Sequence, residues 1–240
     1  MMKKKTVIVT GASQGIGAAI VTALLHRGYN VVANSRCISA RGFSPSGCLV
    51  LGDGDIGDAA TAEKVTNAAL SNFGSIDHLV NNAGIYAAKP FTEYSANDLR
   101  GFLSTNIEGF VFVTQLAVKQ MLAQETGGSV TTITAALADN PMSGAPSSIP
   151  MITKGGLNTV TRSLAIEYAK KHIRFNAVAP GVVDTPMHND HPQELLKTLS
   201  PMGTISEPQD IADAVLYLME AKNVTGEVLH VDGGAHAGRW

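Results

Sequence analysis

Apolar residues fall along this chain in two alternating patterns. Short runs rich in β-branched and aliphatic side chains occupy 6–10, 31–33, 48–51, 79–80, 129–134, 175–178 and 228–231, most of them stopping beside a glycine, asparagine or proline. Runs this short and this apolar predict strands buried on both faces. Between them, apolar positions recur at helical spacing over 17–26, 59–73, 95–124, 150–171 and 208–219, which predicts helices. Gly74 and the pair Gly127-Gly128 close two of these, and Pro150 suits a first helical turn, where its missing N–H has no bond to lose. Ser147 and Ser148 stand where caps for that helix belong. Segments 135–148 and 180–206 carry prolines, glycine and small polar residues and predict a loop and an irregular lobe. Strands alternating with helices imply a parallel sheet covered on both faces, because each crossover lays a helix on it. No linker or repeat divides the 240 residues, so the expectation is one doubly wound α/β domain over 1–240.

Composition narrows what such a domain does. At 45% hydrophobic and 16% charged, the chain has the apolar material for a large core, which excludes a disordered or fibrous protein. A net charge of −2 gives no global positive field, so nucleic acid is not the expected partner. Two cysteines, Cys37 and Cys48, offer neither a disulfide framework nor zinc-ligand spacing, and no metal site is expected. No run reaches the roughly 18 apolar residues of a membrane span, so a soluble cytoplasmic protein is expected. The charge is unevenly placed. No Asp or Glu precedes Asp53, whereas Lys3, Lys4, Lys5, Arg27, Arg36 and Arg41 do. Such a segment is either a solvated basic tail or the half that meets a phosphate-rich ligand.

The turn after the first strand favours the ligand. It reads Thr10-Gly11-Ala12-Ser13-Gln14-Gly15-Ile16-Gly17. Glycines between a strand and a helix let backbone approach a pyrophosphate, whose charge meets the unpaired N–H groups at the helix start. Glycines also serve tight turns, but here they sit at the first strand of an α/β pattern.

The spacing Gly-x-x-x-Gly-x-Gly resembles that of the short-chain dehydrogenase/reductase family. Further matches follow in order over nearly the whole chain: Asp55-Ile56, Asn81-Asn82-Ala83-Gly84, Asn106, Lys154, Pro180-Gly181-Val182-Val183-Asp184-Thr185-Pro186-Met187, and Val231-Asp232-Gly233-Gly234. The resemblance implies a Rossmann-like three-layer fold with a seven-stranded mainly parallel sheet, a homo-oligomer (tetramer or dimer), and a nicotinamide dinucleotide cofactor. It places Asp55 at the adenine edge with Ile56 packing nearby, or Asp55 as a cap for the next helix. By the same resemblance Asn82, Ala83 and Gly84 run along the nicotinamide ribose. Val183 and Thr185 hold the carboxamide and phosphate region, and 182–206 becomes a lobe over a small-molecule substrate.

Cofactor choice turns on Asn34-Ser35-Arg36 at the end of the second strand. An NAD binder carries a carboxylate here for the adenosine ribose. This chain has none, and Arg36 can hold a 2′-phosphate bidentately. The expected cofactor is NADP(H); the competing view of Arg36 is a solvated surface residue.

The family's chemistry usually needs a Ser, a Tyr, a Lys four residues after the Tyr, and an Asn. Lys154 and Asn106 match, the lysine implied to bond the nicotinamide ribose and the asparagine to hold a relay water. Pro150 stands at the Tyr position and Ala135 at the Ser position. Thr134 is adjacent, but neighbouring strand residues face opposite sides. Substitute proton donors are sought in Tyr86 after Gly84, in Asp139 and Asn140 of the loop before the lysine helix, and in His188 and His191 of the lobe. Each is otherwise a surface or loop residue. A related branch, the 2,4-dienoyl-CoA reductases, also lacks the Tyr and uses an acid from the Asp139 loop. Met142, Ile149, Met151, Met187 and Leu195 line either a partly apolar pocket or ordinary packing. The tail 235–240, with the sole Trp at 240, is expected either against a neighbouring subunit or on its own chain. Three functions follow: an NADP(H)-dependent oxidoreductase with a degenerate catalytic site, an inactive NADP(H)-binding sensor or regulatory protein, and an enoyl-type C=C reductase.

Overall fold

The computed structural model describes residues 4–38 and 42–238. Lys3 and Arg41 of the basic segment, and Trp240 of the tail, lie outside the described residues. Seven strands form one parallel sheet: β1 (Thr6–Val9), β2 (Asn30–Ser35), β3 (Leu49–Asp53), β4 (His78–Asn81), β5 (Gly128–Ile133), β6 (Ile173–Pro180) and β7 (Val228–Val231). Their spatial order is β3-β2-β1-β4-β5-β6-β7. The order reverses between β1 and β4, where Val7 pairs with His78 and Val9 with Val80. Such a reversal opens a crevice at the carboxyl ends of the strands, where ligands of doubly wound sheets bind.

The period of two explains how one short run covers two layers. Val7 and Val9 pack into a core on one face, with α1 (Gly15–His26) and α7 (Pro208–Glu220), while Ile8 between them joins the core on the other. That second core takes α2 (Ala59–Phe73), α4 (Gly109–Gln124) and α5 (Ser148–Tyr168). All of Val7, Ile8 and Val9 are fully buried, as a central strand demands.

The predicted helix 95–124 is three segments. α3 (Ala96–Phe102) opens on a capping box in which Ser95 and Asp98 bond each other's backbone N–H, and α4 ends the run. A π-helical stretch, Leu103–Glu108, lies between them. Short 3₁₀ turns at Phe91–Glu93, Ala136–Ala138, Pro186–His188 and Ala235–Ala237, and α6 (Gln193–Lys197), interrupt stretches that read as loop. α5 begins at Ser148, so Pro150 is its third residue. Ser147 does not cap it: its hydroxyl donates to Ala145 O at 3.0 Å instead.

Candidate active site

The crevice is built by docking the first turn onto the segment after β4. Thr10, the last residue before Gly11, accepts both the Asn82 and Ala83 N–H groups through Oγ1, at 3.1 and 3.0 Å. The Asn82 side chain returns the contact, Nδ2 donating to Thr10 O and Gly11 O at 3.0 and 2.9 Å. Gly11 and Gly17 exist for this approach. A Cβ on Gly11 would lie 2.7 Å from Ala83 Cα, and one on Gly17 2.6 Å from Asn82 Nδ2. Gly15 adopts φ +52°, and its open side lies against Thr185, whose Cγ2 would be 3.1 Å from an added Cβ. The first turn of α1 has no side-chain cap and no acidic residue, so its N–H groups are available to an anion. Gly11, Ser13, Gln14, Gly15, Ile16 and Gly17 therefore surround a cradle suited to a pyrophosphate, with Thr185 above it.

At the end of β2, Asn34 is buried and its Nδ2 donates to Gly52 O and Gly54 O at 2.9 and 3.1 Å. Asn34 Oδ1 and the neighbouring Ser35 Oγ are buried without a partner among the described residues. Arg36 is exposed and makes no hydrogen bond or ion pair among the described residues. Asp53 pairs in register with Ser35 across β2 and β3. Asp55 is exposed, with Oδ1 accepting the Gly57 N–H at 3.0 Å, while Ile56 is buried in the core. The Asp55 carboxylate thus shapes the turn ahead of α2.

Asn106 and Lys154 come together beside Gly84. Asn106 is held by the π-helical stretch, a device common at functional sites, and is 2% exposed. Its Oδ1 accepts the Ile85 N–H at 2.9 Å, and its Nδ2 faces Ile85 O at 3.2 Å and Thr153 Oγ1 at 3.0 Å. Lys154 Nζ donates to Ile133 O at 2.8 Å. A Cβ on Gly84 would stand 3.0 Å from Nζ and 3.4 Å from Asn106 Oδ1. Burial alone pushes the Lys154 ammonium from 10.5 down to about 8.

The other proposed donors fall elsewhere. Asp139 Oδ2 accepts from Asn158 Nδ2 at 2.9 Å, one turn beyond Lys154 on α5, and lies 3.9 Å from His230 Nε2. Tyr86 sits half-buried in the segment after β4. His188 and His191 face each other in the lobe with ring centres 6.4 Å apart, and burial first, His191 second, hold His188 below its ordinary value. Thr134 turns away as expected, its hydroxyl donating to Val178 O at 3.3 Å. The lobe is tied at its base, where Ser206 N–H donates to Val182 O and Asp184 N–H to Ser206 O, at 3.0 and 2.8 Å. Among the described residues no three His, Cys, Asp or Glu side chains gather as a metal site. No helix of the described residues is long and apolar enough to cross a membrane.

The family model described as enoyl-(acyl carrier protein) reductase matches residues 11–236. The chain belongs to the short-chain dehydrogenase/reductase family. It is 34% identical over 232 residues to carbonyl reductase family member 4 of Xenopus laevis, covering 96% of this chain and 97% of that one. Among solved structures it resembles ElxO with NADP bound, with a TM-score of 0.89, 29% identity, and 98% of this chain and 100% of that one covered. It also resembles the 3-ketoacyl-(acyl-carrier-protein) reductase of Brucella melitensis complexed with NADH, with a TM-score of 0.91, 27% identity and the same coverage. The Rossmann-like fold expected of a short-chain dehydrogenase/reductase is thus the fold observed.

Thr10 is the residue that sequence reading passed over. Its position directly before Gly11 was the available signal, since a hydroxyl there can reach backbone that a longer side chain would displace.

Proposed function

We propose that this short-chain dehydrogenase/reductase is an NADP(H)-dependent oxidoreductase with a degenerate catalytic site, acting on a small-molecule carbonyl compound. The observation that carries the cofactor is the end of β2: Asn34-Ser35-Arg36 offers no carboxylate, Asn34 is turned inward onto Gly52 and Gly54, and Arg36 is exposed with no hydrogen bond or ion pair among the described residues. The glycine cradle and uncapped first turn of α1 fit a dinucleotide pyrophosphate. When bound, the reduced nicotinamide supplies a hydride to carbon. This chain then has to orient the ring, exclude water and deliver a proton. Asn106 fixes the Ile85 backbone beside the site, Lys154 offers N–H donors toward the ribose, and Val183 and Thr185 close over the carboxamide and phosphates.

Pro150 and Ala135 favour a second reading, an NADP(H)-binding sensor without turnover, because neither side chain can polarise or protonate a carbonyl oxygen. The family model's description keeps enoyl-type C=C reduction as a third. The reading extends to a cytoplasmic homo-oligomer, dimer or tetramer, supported by two free cysteines and by Ile152 and Ile166, 59% and 81% exposed on α5. Calorimetric titration with NADPH and NADH, followed by a cofactor-oxidation screen over ketones, quinones and enoyl thioesters, tests all three. Preferential NADPH binding with turnover is expected. Binding without turnover of any class establishes the sensor, and no binding of either nucleotide refutes the cofactor.

A further inference from the structure

At the edge of the sheet opposite the glycine cradle lies a hollow of about 730 Å³, the size of a small-molecule pocket. The amino ends of β4, β5 and β6 reach it through His78, Gly128 and Ile173, and the exposed Lys5, ahead of β1, and Lys222, after α7, border it. None of the residues placed above at the dinucleotide or at the reacting end lines it.

Charge in the hollow is one-sided. Lys5, Arg174 and Lys222 line it against a single carboxylate among the described residues, Glu220. Glu220 is already engaged, because its two oxygens accept from Arg27 at 2.8 and 2.7 Å. Arg174 meets no carboxylate. Its Nη1 donates to Leu218 O and Val224 O at 2.6 and 3.1 Å, and its Nη2 to Met219 O at 2.6 Å, so it satisfies the end of α7 and keeps N–H donors to spare among the five it carries. The Lys5 and Lys222 ammonium groups make no hydrogen bond or ion pair among the described residues.

His78 gives a second, independent sign. It is 3% exposed, its Nδ1 meets Ser129 Oγ at 2.8 Å, and its Nε2 is buried with no partner among the described residues. A buried polar atom of this kind is costly until a ligand or water answers it. Lys5 and Arg174 both act on this ring through their charge and oppose its protonation, so the imidazole is neutral. With the Ser129 hydroxyl donating to Nδ1, the ring proton sits on Nε2 and has no acceptor. Beside it Tyr29, edge-on to His78 at 5.8 Å, with Ile173 and Met219, supplies an apolar wall.

We propose that this hollow binds a small organic phosphate monoester, the phosphate held by Lys5, Lys222, Arg174 and the His78 Nε2–H, and the organic group lying against Tyr29, Ile173 and Met219. Donors that arrive from four separate elements suit an anion with three free oxygens and a charge approaching −2, and exceed what a planar carboxylate with two oxygens can accept. A bare phosphate ion would leave most of the space and the whole apolar wall unused.

The probes are phenyl phosphate, inorganic phosphate, benzoate and phenol, titrated into the protein by calorimetry. Phenyl phosphate is expected to bind at least about tenfold more tightly than inorganic phosphate or benzoate, and phenol not to bind. Replacing the two exposed lysines together, Lys5→Ala with Lys222→Ala, should weaken phenyl phosphate about tenfold or more, whereas Lys119→Ala on α4 should leave it within about twofold. Saturating NADPH should leave it unchanged. In protein labelled with ¹⁵N at the histidine rings, the Nε2 signal of His78, assigned by its loss in His78→Gln, should move as phenyl phosphate saturates. No binding of phenyl phosphate overturns the proposal, as does affinity undiminished in the double lysine variant, competition by NADPH, or a His78 signal that stays in place. Inorganic phosphate binding as tightly as phenyl phosphate would make the hollow a seat for an adventitious ion only, and benzoate doing so would overturn the phosphate class.

Discussion

On the proposed NADP(H) reading, the inward turn of Asn34 leaves the end of β2 to Ser35 and Arg36. The Asn34 amide bridges β2 to the two carbonyls of Gly52 and Gly54, so an aspartate in its place would lose both donors and face carbonyl oxygen from within the core. On that reading, discrimination between the two dinucleotides falls to the exposed Arg36 guanidinium. Arg36→Ala is expected to weaken NADPH binding by roughly 10- to 100-fold, the worth of hydrogen bonds to a charged group, and to leave NADH binding almost unchanged. Calorimetry with both nucleotides decides it, and equal losses would remove Arg36 from the site. The same scale governs the proton donor on the proposed reading of a degenerate site. Pro150 occupies the third position of α5, where it breaks no helical hydrogen bond, so its replacement costs the helix nothing. Pro150→Tyr combined with Ala135→Ser should raise cyclohexanone reduction by about 10²–10⁴, the usual contribution of a positioned acid. A folded, NADPH-bound double variant with no gain would show that the pocket has changed as well as the two residues.

Among the elements, one substitution made in two helices should have opposite signs. Gly17→Ala, in α1, drives a Cβ to 2.9 Å from Ala12 Cα and 2.6 Å from Asn82 Nδ2, and the backbone it meets has no room to retreat. A loss of about 1–3 kcal/mol is expected, with weakened dinucleotide binding. Gly156→Ala, in the middle of α5, meets nothing within 4 Å and gains about 0.5–1 kcal/mol from helix propensity. Urea unfolding of the two variants tests the pair; a stabilised Gly17→Ala would mean that the turn is not packed as described. These glycines also mark the limit of what was legible in the chain. Strand positions and the helix at 59–73 could be read because apolar period and closing glycine agree there. The π-helical stretch could not, since one wider turn barely disturbs a helical pattern. It packs closely on the segment ahead of α2, Gly57 lying against Ser104 within it and Gly109, just after it, against Ile56, contacts of long sequence separation. The cradle glycines were legible as a motif, whereas the Thr10 and Asn82 bonds that lock it needed the fold. Ser147 had the composition of a cap, but a local carbonyl claimed its hydroxyl.

Across the whole molecule the sheet keeps two buried bases at opposite ends. Lys154 stands at the carboxyl edge. His78, 3% exposed, begins β4 at the amino edge, where Nδ1 meets Ser129 Oγ at 2.8 Å and Tyr29 packs edge-on at 5.8 Å. Burial foremost, with Lys5 and Arg174 adding to it, pushes His78 down to about 3. The folded protein therefore refuses a proton that the unfolded chain accepts below pH 6.5. Stability associated with His78 is complete above 6.5 and declines as pH falls toward 3, at up to about 1.4 kcal/mol per pH unit. Lys154 has the same sign in another window: its unfolded form holds the proton between about 8 and 10.5 while the folded form has released it, so stability rises with pH there. Tyr29, raised chiefly by burial, opposes this above its ordinary value of 10.0. The His78 contribution can be isolated with His78→Gln, which cannot titrate. Urea midpoints at pH 7.5 and 4.5 should fall together far less in His78→Gln than in the native protein, even though the variant starts from lower stability through the altered contact with Ser129. Equal falls in both would assign the acid sensitivity to the carboxylates and not to the buried imidazole.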